Sequence, residues 1–404
     1  MITPTDILNV LQKVIDEKLR DTVPQYTPLT VLLKRNRGVM NMANNKFYMT
    51  TVVGGHSGVG QYPLDDTLNH GESSDIQPYE EAKNLYSSIE VHDKTLIAMS
   101  KVPKGAIADF AKRYLKQQEK AIANEMERTW CGNSTGAIAR ADGTGSSSTA
   151  LTVQGWDTDS SDIHGAEYIE VGDYIKIGSN SPNLVSAVSG TSVTLTTAQT
   201  WSDEDDIVKA TSTTAMDEMN GLGGLVLATG TIHNIAIAGY RNWQSSVDAT
   251  SHSFASDGDS PMNLAHIPTW KYREGNAPLV LMNKTNFNAY GKTLTALKKT
   301  ARTSEFIFGG QKYKQLDGYN HLDWQGGVAM YNPHIPTSRV YMIDPLTFSI
   351  GDMGGGVKFA SEMGSSVWQR VADKTPRYQS VLRFYGNLLT LSPAANAVCT
   401  NYGA

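Results

Sequence analysis

Between Gly105 and Cys131 the chain carries its strongest constraint. Ile107, Phe110, Ala111, Tyr114, Leu115, Ala121, Ile122, Met126 and Trp130 return every three or four residues, and Gly132 follows as a stop. At a rise of about 1.5 Å per residue this predicts one helix on the order of 39 Å long. Its other side carries Lys112, Arg113, Lys116, Glu119, Lys120, Glu127 and Arg128, a mixed-charge face. One long striped helix cannot close a core alone. It must brace a sheet or line a surface, and the flanking sequence offers strands and turns rather than partner helices.

The chain has 404 residues, enough for two or three compact units. Its 36 glycines, with many Ser, Thr and Asn, point to turns, loops and strands and exclude an all-helical protein. Lys+Arg number 35 against 40 Asp+Glu, which is not the basic excess of a dedicated nucleic-acid binder. No stretch approaches the roughly 20 apolar residues that would span a bilayer, so no membrane partner is expected. The start, Met1-Ile-Thr-Pro-Thr-Asp6, lacks the cationic and apolar regions of a secretory signal. Cys131 and Cys399 are too few for a disulfide framework or a zinc site, so folding in a reducing cytoplasm is expected.

Ahead of the long helix, residues 5–20 form a short apolar stripe from Ile7 to Leu19 that Pro24 and Pro28 interrupt. Strand-like runs at 47–53 and 85–99 enclose a Gly/His/Ser/Asp-rich stretch, roughly 54–78, far longer than the usual connection of about 4–6 residues. Behind the helix, alternation at 174–177, 184–188, 192–196 and 206–210 predicts an independent antiparallel barrel or sandwich over 150–212. That stretch holds ten acidic residues against Lys176 and Lys209. Further on, helices are expected at 261–273 and 285–299, and a buried strand at 278–282. Strands follow at 328–331, 340–343 and 348–350, and the chain finishes on a pair at 377–386 and 388–391. Gly221-Leu-Gly-Gly224 and Gly354-Gly-Gly356 read as turns.

A search for chemistry returns nothing specific. The glycines at 54–60 have no Lys-Ser/Thr ending to place a lysine on phosphate. The nine histidines are dispersed, with no pair at ligand spacing on a helix face. Asp203-Glu-Asp-Asp206 lacks the alternating ligands of a calcium loop and reads as a solvated acidic turn. Cys131 ends a helix, where the dipole opposes a thiolate. Glu80-Glu81 has no role that spacing alone assigns. Lys34-Arg-Asn-Arg37 and Lys298-Lys-Thr-Ala-Arg302 lack the aromatic platforms of single-strand binders. No catalytic residue, cofactor or metal site is expected, and the chain does not read as an enzyme.

Taken in order, these parts resemble the major capsid protein of tailed bacteriophages, with its Hong Kong ninety-seven-like fold. The likeness is carried by the loop 47–99, by the helix running into Trp130-Cys-Gly-Asn-Ser134, and by Met219-Asn-Gly-Leu-Gly-Gly-Leu225. Asn332-Pro-His-Ile-Pro-Thr-Ser-Arg-Val-Tyr-Met-Ile-Asp344 and Tyr378-Gln-Ser-Val-Leu-Arg-Phe-Tyr-Gly-Asn-Leu388 complete it. The resemblance implies an α+β fold built of several pieces. These are an N-terminal arm (1–37), an extended E-loop hairpin (38–104), and a P-domain with a long spine helix (105–149, completed by C-terminal strands at 365–404). An inserted small all-β, barrel-like domain (150–213) and an A-domain (214–364) make up the remainder.

The resemblance also implies a virion protein, assembled in the host cytoplasm, whose copies form pentamers and hexamers and then an icosahedral shell around double-stranded DNA held without sequence-specific binding. A separate scaffolding protein and a portal are implied partners, and a decoration protein is left open. Val52, Val53, Ile89 and Leu96 of the loop, with Ile7 and Leu11 of the arm, are the expected inter-subunit contacts. The alternative reading is a β-rich virion-surface or tail binding protein.

Overall fold

The computed structural model describes residues 28–33, 41–49, 51, 53, 61, 76–92, 104–157, 164–273, 278–296, 306–308, 311–313, 321–325, 327–353, 356–359, 369–370 and 377–403. The expected stripe at 5–20, the glycines at 54–60 and both basic clusters fall outside them. A six-residue helix, α1 (Pro28–Leu33), comes first. Strands β1 (Asn41–Ala43) and β2 (Lys46–Tyr48) form a hairpin whose register, Ala43 against Lys46, leaves Asn44 and Asn45 as a two-residue turn. Both have positive φ, 53° and 63°, the requirement that makes asparagine a favoured hairpin residue. Strand β3 (Tyr79–Glu81) adds to β2, and an isolated bridge joins Val53 to Ile76.

Strand β4 (Lys83–His92) leads to the long helix, α2 (Lys104–Cys131), within one residue of the expected bounds. The side chains described on α2 begin at Lys116 and depart from the predicted faces. Ile122, Met126 and Trp130 are buried as expected, but Ala121 is exposed, while Glu127 and Arg128 are buried with them.

The barrel is closed by β5 (Ala137–Ala141), β6 (Gly145–Gln154), β7 (Tyr174–Ile177), β8 (Asn183–Ser189), β9 (Ser192–Trp201) and β10 (Asp206–Ala210), in the order β10-β5-β6-β9-β8-β7. Its core is its own: Ile138, Leu151, Val153, Ile175, Ile177, Val185, Val193, Leu195 and Ile207, with Trp201 laid over Gly145. The barrel thus starts at Ala137 rather than at 150. Ala-Ile-Ala-Arg-Ala has little β-branched character, so its strand is made by pairing with β10 and β6.

Beyond it, Gly221-Leu-Gly-Gly224 is not a free turn. It opens a short helix, α3 (Leu222–Leu225), pressed onto the end of α2. A Cβ on Gly221 would lie 2.4 Å from the Thr129 carbonyl oxygen, so glycine is needed for close backbone approach. The central sheet orders β11 (Ser246–Asp248), β18 (Ala397–Cys399), β15 (Val340–Ile343), β12 (Leu279–Met282), β14 (Gly327–Tyr331) and β13 (His321–Trp324). Helices α4 (Ser260–His266) and α5 (Lys284–Ala296) flank it, and α4 continues as a 3-10 turn to Tyr272.

Alternation divides the two cores. Leu279, Leu281, Tyr341, Ile343 and Val398 face the main core with Trp130, while Val280, Met282, Val340, Met342 and Ala397 face a second core with Phe254 and Tyr290. Every residue of β12 and β15 is buried, which is why they read as continuous apolar runs. Residues 397–399 complete this sheet rather than standing among separate C-terminal strands.

Nor is there a terminal pair. Strand β17 (Arg377–Thr390) runs unbroken for 14 residues, pairing with all ten residues of β4 and then with β16 (Phe348–Asp352). Gly386-Asn387, where the expected pair divides, lies inside that strand. A Cβ on Gly386 would meet the Gly351 carbonyl oxygen at 2.2 Å, so glycine serves strand-to-strand approach there.

Candidate functional site: the junction at the end of the long helix

The last two turns of α2 hold the chain's distant parts together. Met126 and Trp130 point into the main core, and the two charged residues between them point to different neighbours. Glu127 is fully buried. Its Oε1 accepts from the Leu29 backbone N–H at 2.9 Å and from Asn332 Nδ2 at 2.6 Å. Its Oε2 accepts from the Thr30 backbone N–H at 2.9 Å and the Thr30 hydroxyl at 2.6 Å. The carboxylate thereby caps the first turn of α1, where amides lack helical partners. Burial pushes its pKa upward, against the pull of these four hydrogen bonds.

Arg128 is turned toward the barrel side. Its Nη2 donates to Glu125 at 2.7 Å and to Glu218 at 2.6 Å, and the guanidinium lies 5.7 Å from the Tyr168 ring centre. Lys209 of β10 reaches Glu125 at 3.5 Å. Burial opposes ionisation of Glu125, but the charges of Arg128 and Lys209 outweigh it and hold that carboxyl at about 2. Burial, together with the like charge of Glu125, pushes Glu218 upward despite Arg128.

The segment Asn332–Asp344 is the third party. Asn332, besides holding Glu127, accepts the His334 backbone N–H at 3.0 Å. His334 Nδ1 meets the Tyr168 hydroxyl at 2.8 Å. Ser338 donates to Asp157, Arg339 pairs with the same carboxylate at 2.5 Å, and its guanidinium lies 4.9 Å from the Trp156 ring centre. The barrel is therefore docked on the central sheet through one short stretch of chain.

A second lock sits at the root of β1–β3. His233 occupies a two-residue hairpin turn with Asn234, at φ 49° and 65°. Its Nε2 accepts the Thr390 backbone N–H at 2.9 Å, so the proton resides on Nδ1, which donates to Glu80 at 3.0 Å. Burial works against ionised Glu80, yet His233 and Asn220 bring its pKa down. Asn387 completes the lock, accepting from Asn220 N at 2.7 Å and donating to the Glu81 carbonyl at 2.9 Å. Glu80 thus has a role that spacing could not assign.

The expected contact residues are not gathered here. Val53 lies fully buried in the main core, and Ile89 is half-buried in β4 opposite Ser380. Val52, Leu96, Ile7 and Leu11 lie outside the described residues. Sequence reasoning missed Glu127, Arg128, His233 and Asn332. A signal for the last was present, since Asn332 heads a segment the resemblance singled out.

Other candidates resolve structurally. The thiol of Cys131 is buried and pushed well up by that burial, the opposite of an activated nucleophile. In the acidic turn, Asp203 accepts the Gly143 amide, Asp205 accepts the Ser202 amide and Asp206 pairs with Arg140. Among the described residues no group of His, Cys, Asp and Glu is placed to hold a metal ion, and no described helix is long and apolar enough to cross a membrane. Outside the junction, Leu264, Ile267 and Trp270 stand 64%, 61% and 60% exposed along α4 and its 3-10 extension.

No protein-family model matches the sequence, and no curated protein matches it. Among solved structures, a chain of the cyanophage A-1(L) capsid asymmetric unit is similar with a TM-score of 0.53 at 11% identity, covering 94% of this chain and 93% of that one. The capsid of an empty GTA particle matches with a TM-score of 0.46 at 11% identity, over 93% and 90% of the two chains. The holo-SrpI encapsulin complex from Synechococcus elongatus PCC 7942 matches with a TM-score of 0.45 at 10% identity, over 95% and 91%. A mixed α+β chain with one long helix, a ten-residue ladder between β4 and β17, and a near end-to-end match to the cyanophage chain has the tailed-phage capsid fold.

Proposed function

We propose that this chain is a structural shell subunit, a major capsid protein whose copies associate into pentamers and hexamers and then into a closed icosahedral head around double-stranded DNA. The observation that carries the reading is the likeness to the cyanophage A-1(L) capsid chain, which spans 94% of this protein and leaves no large region for a separate activity. Ring contacts in such an assembly are heterologous, one patch meeting a different patch on the next copy. In this reading the loop between Phe47 and Met99 lies across the neighbouring subunit. Val52, Ile89 and Leu96 supply apolar anchors, Ile7 and Leu11 dock the arm, and Val53 braces the loop root from inside its own core. The exposed Leu264, Ile267 and Trp270 fit a surface that association would cover. Several modest contacts per subunit, engaged at once, make release improbable without any single strong one.

The protein acts without catalysis or cofactor. Its assembly partners are further copies of itself, a separate scaffolding protein and a portal, with decoration proteins an optional addition, and DNA is enclosed rather than read. The test is electron microscopy of the purified full chain across a range of concentrations. Rings or closed shells are expected. A chain that stays a lone, fully ordered particle at every concentration overturns the reading.

A further inference from the structure

Glu127 is shared by two segments that do not otherwise meet through it. One carboxylate accepts two backbone amides and a hydroxyl from α1, and, on the same Oε1 that holds Leu29, the amide of Asn332. A buried carboxylate needs nearly all its lone pairs filled, because an ionised oxygen without donors is costly away from water. Lifting α1 away strips three of the four donors and leaves Asn332 alone on a charge it cannot satisfy. Asn332 in turn anchors the turn whose next residues hold the barrel, through His334 on Tyr168 and through Ser338 and Arg339 on Asp157.

We propose that Glu127 is a two-sided latch, coupling the seating of residues 28–33 to the placement of the 332–341 segment and so to the attachment of the barrel. The latch rests on the shell-subunit reading only for its use, since an arm that must dock has reason to report its docking to the outer parts of its own subunit. The coupling itself is a property of the single chain. Recognition is through the α1 backbone and one hydroxyl, so the apolar side chains of α1 remain free to fill the core, where Leu29 and Leu33 already sit.

The experiment is amide hydrogen exchange on the full chain, with the β4–β17 ladder of the body as internal control. Thr30→Val keeps side-chain shape but removes one donor. It is expected to raise exchange about tenfold or more at 29–33 and also, measurably, at 334–341. Asn332→Ala is expected to loosen 29–33 in return, and the double variant to cost less than the two single changes added together. Glu127→Gln, which puts donors against donors, is expected to loosen both segments by the same factor. Strictly additive effects overturn the proposal, as does loosening confined to the mutated side in any of the three variants. A parallel rise in the β4–β17 ladder reports general loosening of the body and counts against a local latch. Failure to form shells would refute the functional reading while leaving these exchange results unchanged.

Discussion

In the barrel, six strands follow one another between Ala137 and Ala210, so every pairing, including the closing one between β5 and β10, is made within that one stretch of chain. Around α2 the wiring is the reverse. Arg377 pairs with Glu90 across 287 residues, Asn332 reaches Glu127 across 205, and Thr30 reaches it across 97. Each region buries an apolar interior of its own, but one closes on itself and the other closes only when the chain's ends and middle are present together. Local closure makes a unit that folds early and independently. Distant closure makes one that is cooperative and slow, because loop-closure entropy is lost before contacts reward it. The lesson is that stability in the body is collective, whereas stability in the barrel is its own.

The sharpest way to break that comparison is a pair of tryptophan deletions. Trp130→Ala, in the fully buried main core, should cost about 3–5 kcal/mol and raise hydrogen exchange together in α2, the central sheet and the β4–β17 ladder. Trp201→Ala should cost a similar amount yet raise exchange only within β5–β10. If the second change melts the body as well, the barrel is not the separate unit described.

A smaller effect is expected from Gly386→Ala. Its Cβ would meet a backbone oxygen of β16 that cannot rotate away, so a loss of about 1–3 kcal/mol in thermal unfolding should follow. Gly190, at φ 57° with nothing near its Cβ position, should cost less when changed to Ala, and the loss should stay inside the barrel.

The smallest effect concerns the seam between the two regions. Glu125 is held at about 2, below its ordinary 4.5, so its contribution is fully present above about 4.5 and disappears as pH falls toward 2. An acid titration followed by exchange at 206–210 should show loosening in that window for the native chain. Glu125→Gln should be loose already at neutral pH and flat through the same range. A native profile that is flat down to pH 2 would remove Glu125 from the seam.

Legibility followed the same division. The stripe of α2, the buried run of β12 and the alternating strands of the barrel all depend on short-range periodicity, and each was readable to within a few residues. The resemblance in order and spacing carried the fold. What stayed hidden depends on distant partners. Glu127 and Arg128 looked like solvated charges because a helical wheel cannot know that Thr30, Asn332 and Glu218 will come to meet them. The glycines at 221–224 looked like turns and Gly386 like a strand end, since a glycine that admits a neighbouring backbone has the same letter as one that bends the chain. Ala137–Ala141 was grouped with the spine helix rather than the barrel, because an alanine-rich strand is made by its neighbours' pairing.

Strands β5 and β10 lie side by side, with Ala137 opposite Val208, so the polypeptide leaves the body and rejoins it at almost one point. A module plugged in at such a socket is interchangeable. Excised and bridged by a few residues, or replaced with another compact fold whose termini sit equally close, it would leave the β4–β17 ladder and the central sheet paired while removing Lys209 and Tyr168 as partners of Glu125 and His334, offering a ready mount for a grafted module.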